Sequence, residues 1–187
     1  MLSYNSPIKE SKSYNDLNIK PIGPIMKINL RGAKREFLAA AGKTLGLILP
    51  NDPNTSTSSE KLTAMWLSPD EWLIISNNII EKQNDIYELE NSLINSISKA
   101  KLGSVVNVTD HFIVINLEGN KVYDILSSEC PFNFEKFKKE KGSVVQTIFA
   151  HIDIIIHHRN TNNLNLLVRR SFSEHLFSWM KDSASRM

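Results

Sequence analysis

Only one cysteine, Cys130, and seven glycines stand among 187 residues. A lone thiol excludes an internal disulfide framework and a cysteine-ligated cluster, and it fits a reducing compartment. No Gly-x-Gly-x-x-Gly is present, which argues against a dinucleotide-binding Rossmann turn. Gly42-Lys43-Thr44 looks like the end of a phosphate loop, but Phe37 occupies the place of the first glycine, so the motif fails. An excess of one charge is missing as well. The 22 Lys and Arg against 20 Asp and Glu give +2, far from the concentrated basic footprint of a nucleic-acid binder. No apolar run is long enough to span a bilayer, and Met1 to Pro7 lacks the apolar core of a signal peptide. These absences predict a soluble, cytoplasmic protein.

What is present centres on Thr63 to Ser76, which holds two of the three tryptophans on either side of Ser68-Pro69-Asp70-Glu71. Thr63–Leu67 and Trp72–Ile75 are apolar and aromatic-rich, and Pro69 suits the second position of a turn. The reading is a tight β-hairpin that carries Trp66 and Trp72 into a core or an interface, with at least one ring in the chain's own core.

Residues 1–20 are polar and without period, which predicts a flexible tail; Pro21, Gly23 and Pro24 punctuate the entry to structure. A single α+β domain is expected over 21–187. Ile25–Leu30 alternates as a strand, and Ala33–Ala41 reads as a helix with Phe37, Leu38 and Ala41 on one face and Gly42 as its C-terminal cap. Asn51–Ser59 reads as a loop. Ile86, Leu89, Leu93 and Ile97 mark an amphipathic helix over 81–99, ended by Gly103. Strands follow at Val105–Val108 and Phe112–Leu117, then a short helix over Asn120–Ser128 and an aromatic turn at Cys130–Phe134. Val144–His158 reads as two strands or one bent at Ala150, and Leu164–Val168 as another strand. Ser171 with Glu174 forms a capping-box pattern for a last helix whose buried stripe is Phe172, Leu176, Trp179 and Met180.

An internal repeat joins these elements. Ile28-Asn29-Leu30-Arg31-Gly32-Ala33-Lys34 aligns with Ile115-Asn116-Leu117-Glu118-Gly119-Asn120-Lys121 at five identities. Each copy leads from strand to helix, and each half then offers a hairpin and a helix. The fold class expected is α+β, two duplicated β-α-β-hairpin-α halves over about 21–102 and 103–187 with antiparallel sheets.

Chemistry is sparse. His111, His151, His157, His158 and His175 show no zinc-site spacing, and His157 and His158 face opposite ways on a strand. Cys130, beside Pro131 and flanking Phe, reads as a packed turn rather than a nucleophile. Asp70 and Glu71 are adjacent carboxylates, better explained by turn capping than by acid–base work. Lys136, Lys138, Lys139 and Lys141 are interrupted by Glu135 and Glu140 and read as a solvated loop. Arg169-Arg170 places one guanidinium inward, where it must find a carboxylate or an acidic partner. From the residues alone, no catalytic, cofactor-binding or metal-binding residue is assigned, and a binding or assembly subunit is expected.

Several segments together resemble the gamma subunit of heterotetrameric sarcosine oxidase. They are Leu30-Arg31-Gly32, Leu45–Pro50, Trp66–Ile74, Val106–Asp110, Cys130–Asn133, Val145-Gln146-Thr147 and Val168–Phe172, in family order over roughly residues 22–183. Ser68 stands where that family usually has Gly, and Asn107 where it often has Asp; both swaps suit a turn or strand edge. The resemblance implies a fold like the folate-binding domain of the glycine-cleavage aminomethyltransferase. It implies a non-catalytic subunit that supports oxidative demethylation of sarcosine to glycine. The one-carbon unit passes to tetrahydrofolate or leaves as formaldehyde, and hydrogen peroxide is formed. FAD, FMN, NAD, tetrahydrofolate and zinc are implied for the other subunits. Alpha, beta and delta subunits are the implied partners, alpha foremost, with no nucleic acid and no membrane. A related N-methylglutamate dehydrogenase subunit and a stand-alone folate-binding or one-carbon transfer protein are the alternatives.

Overall fold

The computed structural model describes residues 5–79 and 83–187, with the backbone alone for 83–86. Strands β1 (Lys12–Tyr14), β2 (Leu17–Ile22) and β3 (Lys27–Arg31) precede helix α1 (Arg35–Leu45). Strands β4 (Ser56–Ser58), β5 (Leu62–Ser68) and β6 (Glu71–Ser76) lead to α2 (Gln83–Leu93), which passes into a π-helical turn at Ile94–Ser98. Strands β7 (Ser104–Asn107) and β8 (Phe112–Glu118) precede α3 (Val122–Glu129) and the one-turn α4 (Phe134–Phe137). Strands β9 (Val144–Phe149), β10 (Ile152–Asn160) and β11 (Asn163–Arg169) run through a 3-10 turn at Arg170–Phe172 into α5 (Ser173–Ser185). The strands pair antiparallel throughout.

Two compact units result: Pro24–Thr109, and Met1–Gly23 together with Asp110–Met187. The division expected at 102/103 therefore moves to 109/110, and the second unit takes in the start of the chain.

In the first unit the sheet order is β4-β5-β6-β3-β7. Alternation sends Ile28, Leu30, Ala64, Trp72 and Ile74 to one face, where they pack with Phe37, Ala41 and Leu45 of α1 and with Leu93 and Ile97. Trp72 is 2% exposed, and its ring lies 5.6 Å from that of Phe37. Trp66 is half-buried against the same cluster. The hairpin and the placement of one tryptophan in the chain's own core thus follow the sequence reading. Helix α1 runs past Gly42 to Leu45, and its left-handed cap is Gly46 at φ 61, whose N–H donates to the Gly42 carbonyl. The loop expected over 51–59 contains β4, because Ser56 to Ser58 find partners on β5. Of the apolar positions expected on the 81–99 helix, the Ile86 side chain and residue 81 lie outside the described residues, while Leu93 and Ile97 are fully buried.

The second unit has the sheet order β1-β2-β8-β11-β10-β9. Ile115, Leu117, Leu164, Leu166, Ile154 and Ile156 face α3, through Ile125 and Leu126, and α5, through Leu176, Phe177 and Met180. The tail expected over 1–20 is corrected here. Leu17 and Ile19 alternate with polar Asn18 and Lys20, are buried to 1% and 0%, and pair β2 with β8 from Asn18↔Glu118 to Ile22↔Val114. The polar alternates conceal this short strand in the composition. Ala150 and His151, at φ 48 and 65, form a turn, so Val144–His158 is two strands. The capping box at Ser171 does not form. The Arg170 N–H donates to the His111 carbonyl at 2.8 Å, a 3-10 turn follows, and α5 starts at Ser173. That offset turns the helix, so Phe172 and Trp179 are 47% and 44% exposed while Phe177 and Ala184 join Leu176 and Met180 inside.

The repeat is visible in the strand orders. β4-β5-β6-β3-β7 corresponds to β9-β10-β11-β8-β2, with the repeat strands β3 and β8 each next to the hairpin of its own half. The strand that leads into each repeat strand has crossed over: β2, which precedes β3, pairs with β8, and β7, which precedes β8, pairs with β3. The shared glycine serves two purposes. A Cβ on Gly32 would stand 2.5 Å from the Phe37 ring, and one on Gly119 would stand 2.1 Å from the Asp16 carbonyl oxygen at φ +130.

Candidate functional site

The hairpin corner holds the adjacent carboxylates singled out in the sequence. One Arg31 guanidinium nitrogen donates to both Asp70 oxygens at 3.0 Å, and Ser68 Oγ donates to Asp70 Oδ1 at 2.8 Å. Asn29 Nδ2 donates to Glu71 Oε1 at 2.7 Å, and the Gly32 N–H donates to the Asp70 carbonyl at 2.9 Å. The Ser68 hydroxyl, then Arg31, hold the Asp70 carboxyl below its ordinary range. Both carboxylates are thus engaged in fixing the turn to the end of β3. An acid held charged in this way is a structural anion, which agrees with turn capping.

Arg169 and Arg170 separate. Arg170 turns back, and its guanidinium donates to the Asn5 carbonyl. Arg169 ends β11 exposed and pairs in register with Phe112, while the register that sets Ile154 opposite Val168 brings Asp153 opposite Arg169 and Ile148 opposite Asp153. Phe112, Arg169, Asp153 and Ile148 therefore form one row across four strands. They line an open cavity of about 400 Å³ together with Gln146 and Thr147, over buried Ile155 and Leu167. Sequence reasoning expected an inward arginine seeking a carboxylate. It missed Asp153, because a turn at Thr161-Asn162 alone would set Asp153 opposite Arg170, and only the register shift between His158 and Asn160 brings it level with Arg169.

The remaining candidates are dispersed. His157 and His158 are buried; His158 Nδ1 lies 2.9 Å from the Glu140 carbonyl, and its ring stacks on Phe137 at 5.6 Å. Burial, then Arg159 and His158, pushes His157 down to about 4. His111 packs edge-on to Phe112, and His175 lies 6.2 Å from Trp179. Among the described residues no group of three His, Cys, Asp or Glu is placed to hold a metal ion. Burial raises the Cys130 thiol, against which the Thr147 hydroxyl at 3.5 Å acts weakly. Phe132, Phe134 and Phe137 pack edge to face around that turn, as its aromatic anchors suggested. Lys136 and Lys138 pair with Glu140 and Glu135 at the surface. No helix among the described residues is long and apolar enough to cross a membrane.

Against known proteins, residues 31–186 match the model of the "Sarcosine oxidase, gamma subunit family". The chain belongs to that family. Two curated relatives carry the same description, sarcosine oxidase subunit gamma. The one from Corynebacterium sp. (strain P-1) is 26% identical over 148 residues, covering 79% of this chain and 69% of the relative. The one from Corynebacterium sp. (strain U-96) is 24% identical over 151 residues, covering 79% and 68%. In fold, the chain is similar to a chain of the heterotetrameric sarcosine oxidase from Corynebacterium sp. U-96 in complex with pyrrole 2-carboxylate. The TM-score is 0.81 at 21% identity, over 91% of this chain and 84% of that one. It is also similar to the glycine cleavage system aminomethyltransferase T from Bartonella henselae, with a TM-score of 0.61 at 12% identity, over 88% of this chain and 45% of that one. The α+β fold with antiparallel sheets, expected from the repeat and from the resemblance, is therefore the fold observed.

Proposed function

We propose that this chain is the non-catalytic gamma subunit of a heterotetrameric sarcosine oxidase, a scaffold for active sites held by its partners. The observation that carries this reading is the family match across residues 31–186 of the 187. In this reading the complex demethylates sarcosine oxidatively to glycine, reduces oxygen to hydrogen peroxide, and passes the one-carbon unit to tetrahydrofolate or releases it as formaldehyde. Flavins, NAD and zinc are placed in the other subunits, and the alpha subunit is the expected contact. The carboxylates of the hairpin corner fit such a role, because both are spent on the turn.

The test is co-expression with the alpha, beta and delta chains. A stable complex that contains this chain and oxidises sarcosine supports the reading; a chain that purifies alone and leaves an active three-chain enzyme refutes it. Likeness to an aminomethyltransferase favours a second reading, folate binding by this chain itself. Titration of the isolated chain with tetrahydrofolate decides it, since saturable binding is required.

A further inference from the structure

The row of Arg169 and Asp153 carries a binding function of its own. The two groups are cross-strand neighbours, exposed, and of opposite charge. Among the described residues neither side chain takes part in an ion pair or a hydrogen bond. An exposed pair gains little by closing on itself, because ordering two long side chains offsets the attraction. Between them opens a cavity of about 400 Å³, within the range of small-molecule sites. Its floor, Ile155 and Leu167, is apolar and buried, and Phe112 lines it in register with Arg169.

We infer that this cavity binds a small zwitterionic amino acid, with its carboxylate on Arg169 and its ammonium on Asp153. Charge selects that class. A simple anion satisfies Arg169 but is repelled by Asp153, a simple cation meets the reverse, and a zwitterion satisfies both. Geometry agrees, since adjacent strands lie about 4.8 Å apart and a ligand whose charges are two bonds apart bridges side chains rooted on both. The aliphatic part then rests on Ile155 and Leu167.

Calorimetric titration of the full-length chain with glycine, N-methylglycine and proline tests this, with propionate and ethylamine as single-charge controls. At least one amino acid is expected to bind saturably with Kd of about 1 mM or tighter, and each control at least about tenfold more weakly. Arg169→Met and Asp153→Asn, both at exposed positions, are each expected to weaken binding about tenfold or more. Amide shifts on titration should be concentrated at Phe112, Thr147 and Asp153. Wild-type protein with native circular dichroism that binds none of the three amino acids overturns the inference, as does binding unchanged in both variants. The inference does not rest on the assembly role: a chain that co-purifies with its partners yet binds no zwitterion sinks this site alone.

Discussion

Trp72 and Pro50 are tied across 22 positions of sequence by the indole N–H, which donates to the proline carbonyl at 2.8 Å inside the core. The bond fastens the tryptophan hairpin to the segment leaving α1, and the Trp72 ring covers Phe37 at the same place. Trp72→Phe keeps an aromatic ring but leaves the buried carbonyl without its donor, so it should cost about 1–3 kcal/mol. Urea unfolding followed by circular dichroism measures it. Trp66→Phe, at the half-buried ring, should lower stability less; equal losses would mean the Pro50 bond contributes nothing.

Gly119 and Gly46 both have positive φ, but only Gly119 is crowded. Gly46→Ala meets open space and should cost about 1 kcal/mol for the left-handed backbone. Gly119→Ala must also push a methyl group into the Asp16 carbonyl, at the junction of β2 and α3, and should cost about 3 kcal/mol or more. Melting temperatures of the two variants give the comparison.

Acid should unfold the chain through His157. Its ordinary value is 6.5 and burial lowers it to about 4, so in that window the unfolded chain takes up a proton that the folded one does not. Stability is full above 6.5 and falls as pH drops toward 4, by about 3 kcal/mol in the limit. His157→Gln should flatten this slope, whatever it does to stability at pH 7. Urea midpoints at pH 7, 6, 5 and 4.5 for both proteins check it, and parallel curves would refute it.

Cys130 is buried with its thiol raised by desolvation, so the thiolate that reacts with disulfide reagents is scarce in the folded chain. Aromatic disulfide reagents at pH 8 should leave the native protein almost unmodified and label one thiol per chain in urea. Rapid labelling of the native protein would contradict the packing around Thr147.

Much of the fold was legible because its signals are local. The Trp66–Trp72 hairpin is marked by Pro69 between two apolar runs, and the repeat by Ile-Asn-Leu leading to a glycine; both lie where period and turn chemistry placed them. What escaped the sequence depends on pairing at a distance. Leu17 and Ile19 are too few to stand out until β8 gives them a partner, and Ser171 reads as a cap until His111 anchors the residue before it, Arg170. The cavity was hidden for the same reason. One of Arg169 and Arg170 was expected inward beside a carboxylate or an acidic partner, whereas Arg169 is exposed and Asp153 becomes its neighbour only through the β10–β11 register. Trp179 was misplaced because Leu176 and Met180 share their buried stripe with Phe177 and Ala184, on the side of the helix away from Trp179.

The crossed leading strands set an order for folding during synthesis. Residues 24–109 are contiguous and hold all their strands once β7 has left the ribosome, so that unit can close early. Strand β2 is made before any of it but has no long-range partner until β8, about a hundred residues later, and it waits with Leu17 and Ile19 uncovered. The second unit does not survive as a tidy fragment, because a cut between β7 and β8 leaves β2 on the wrong piece. Such a chain is best made whole, and in the meantime strand β2 is a surface for a chaperone to hold.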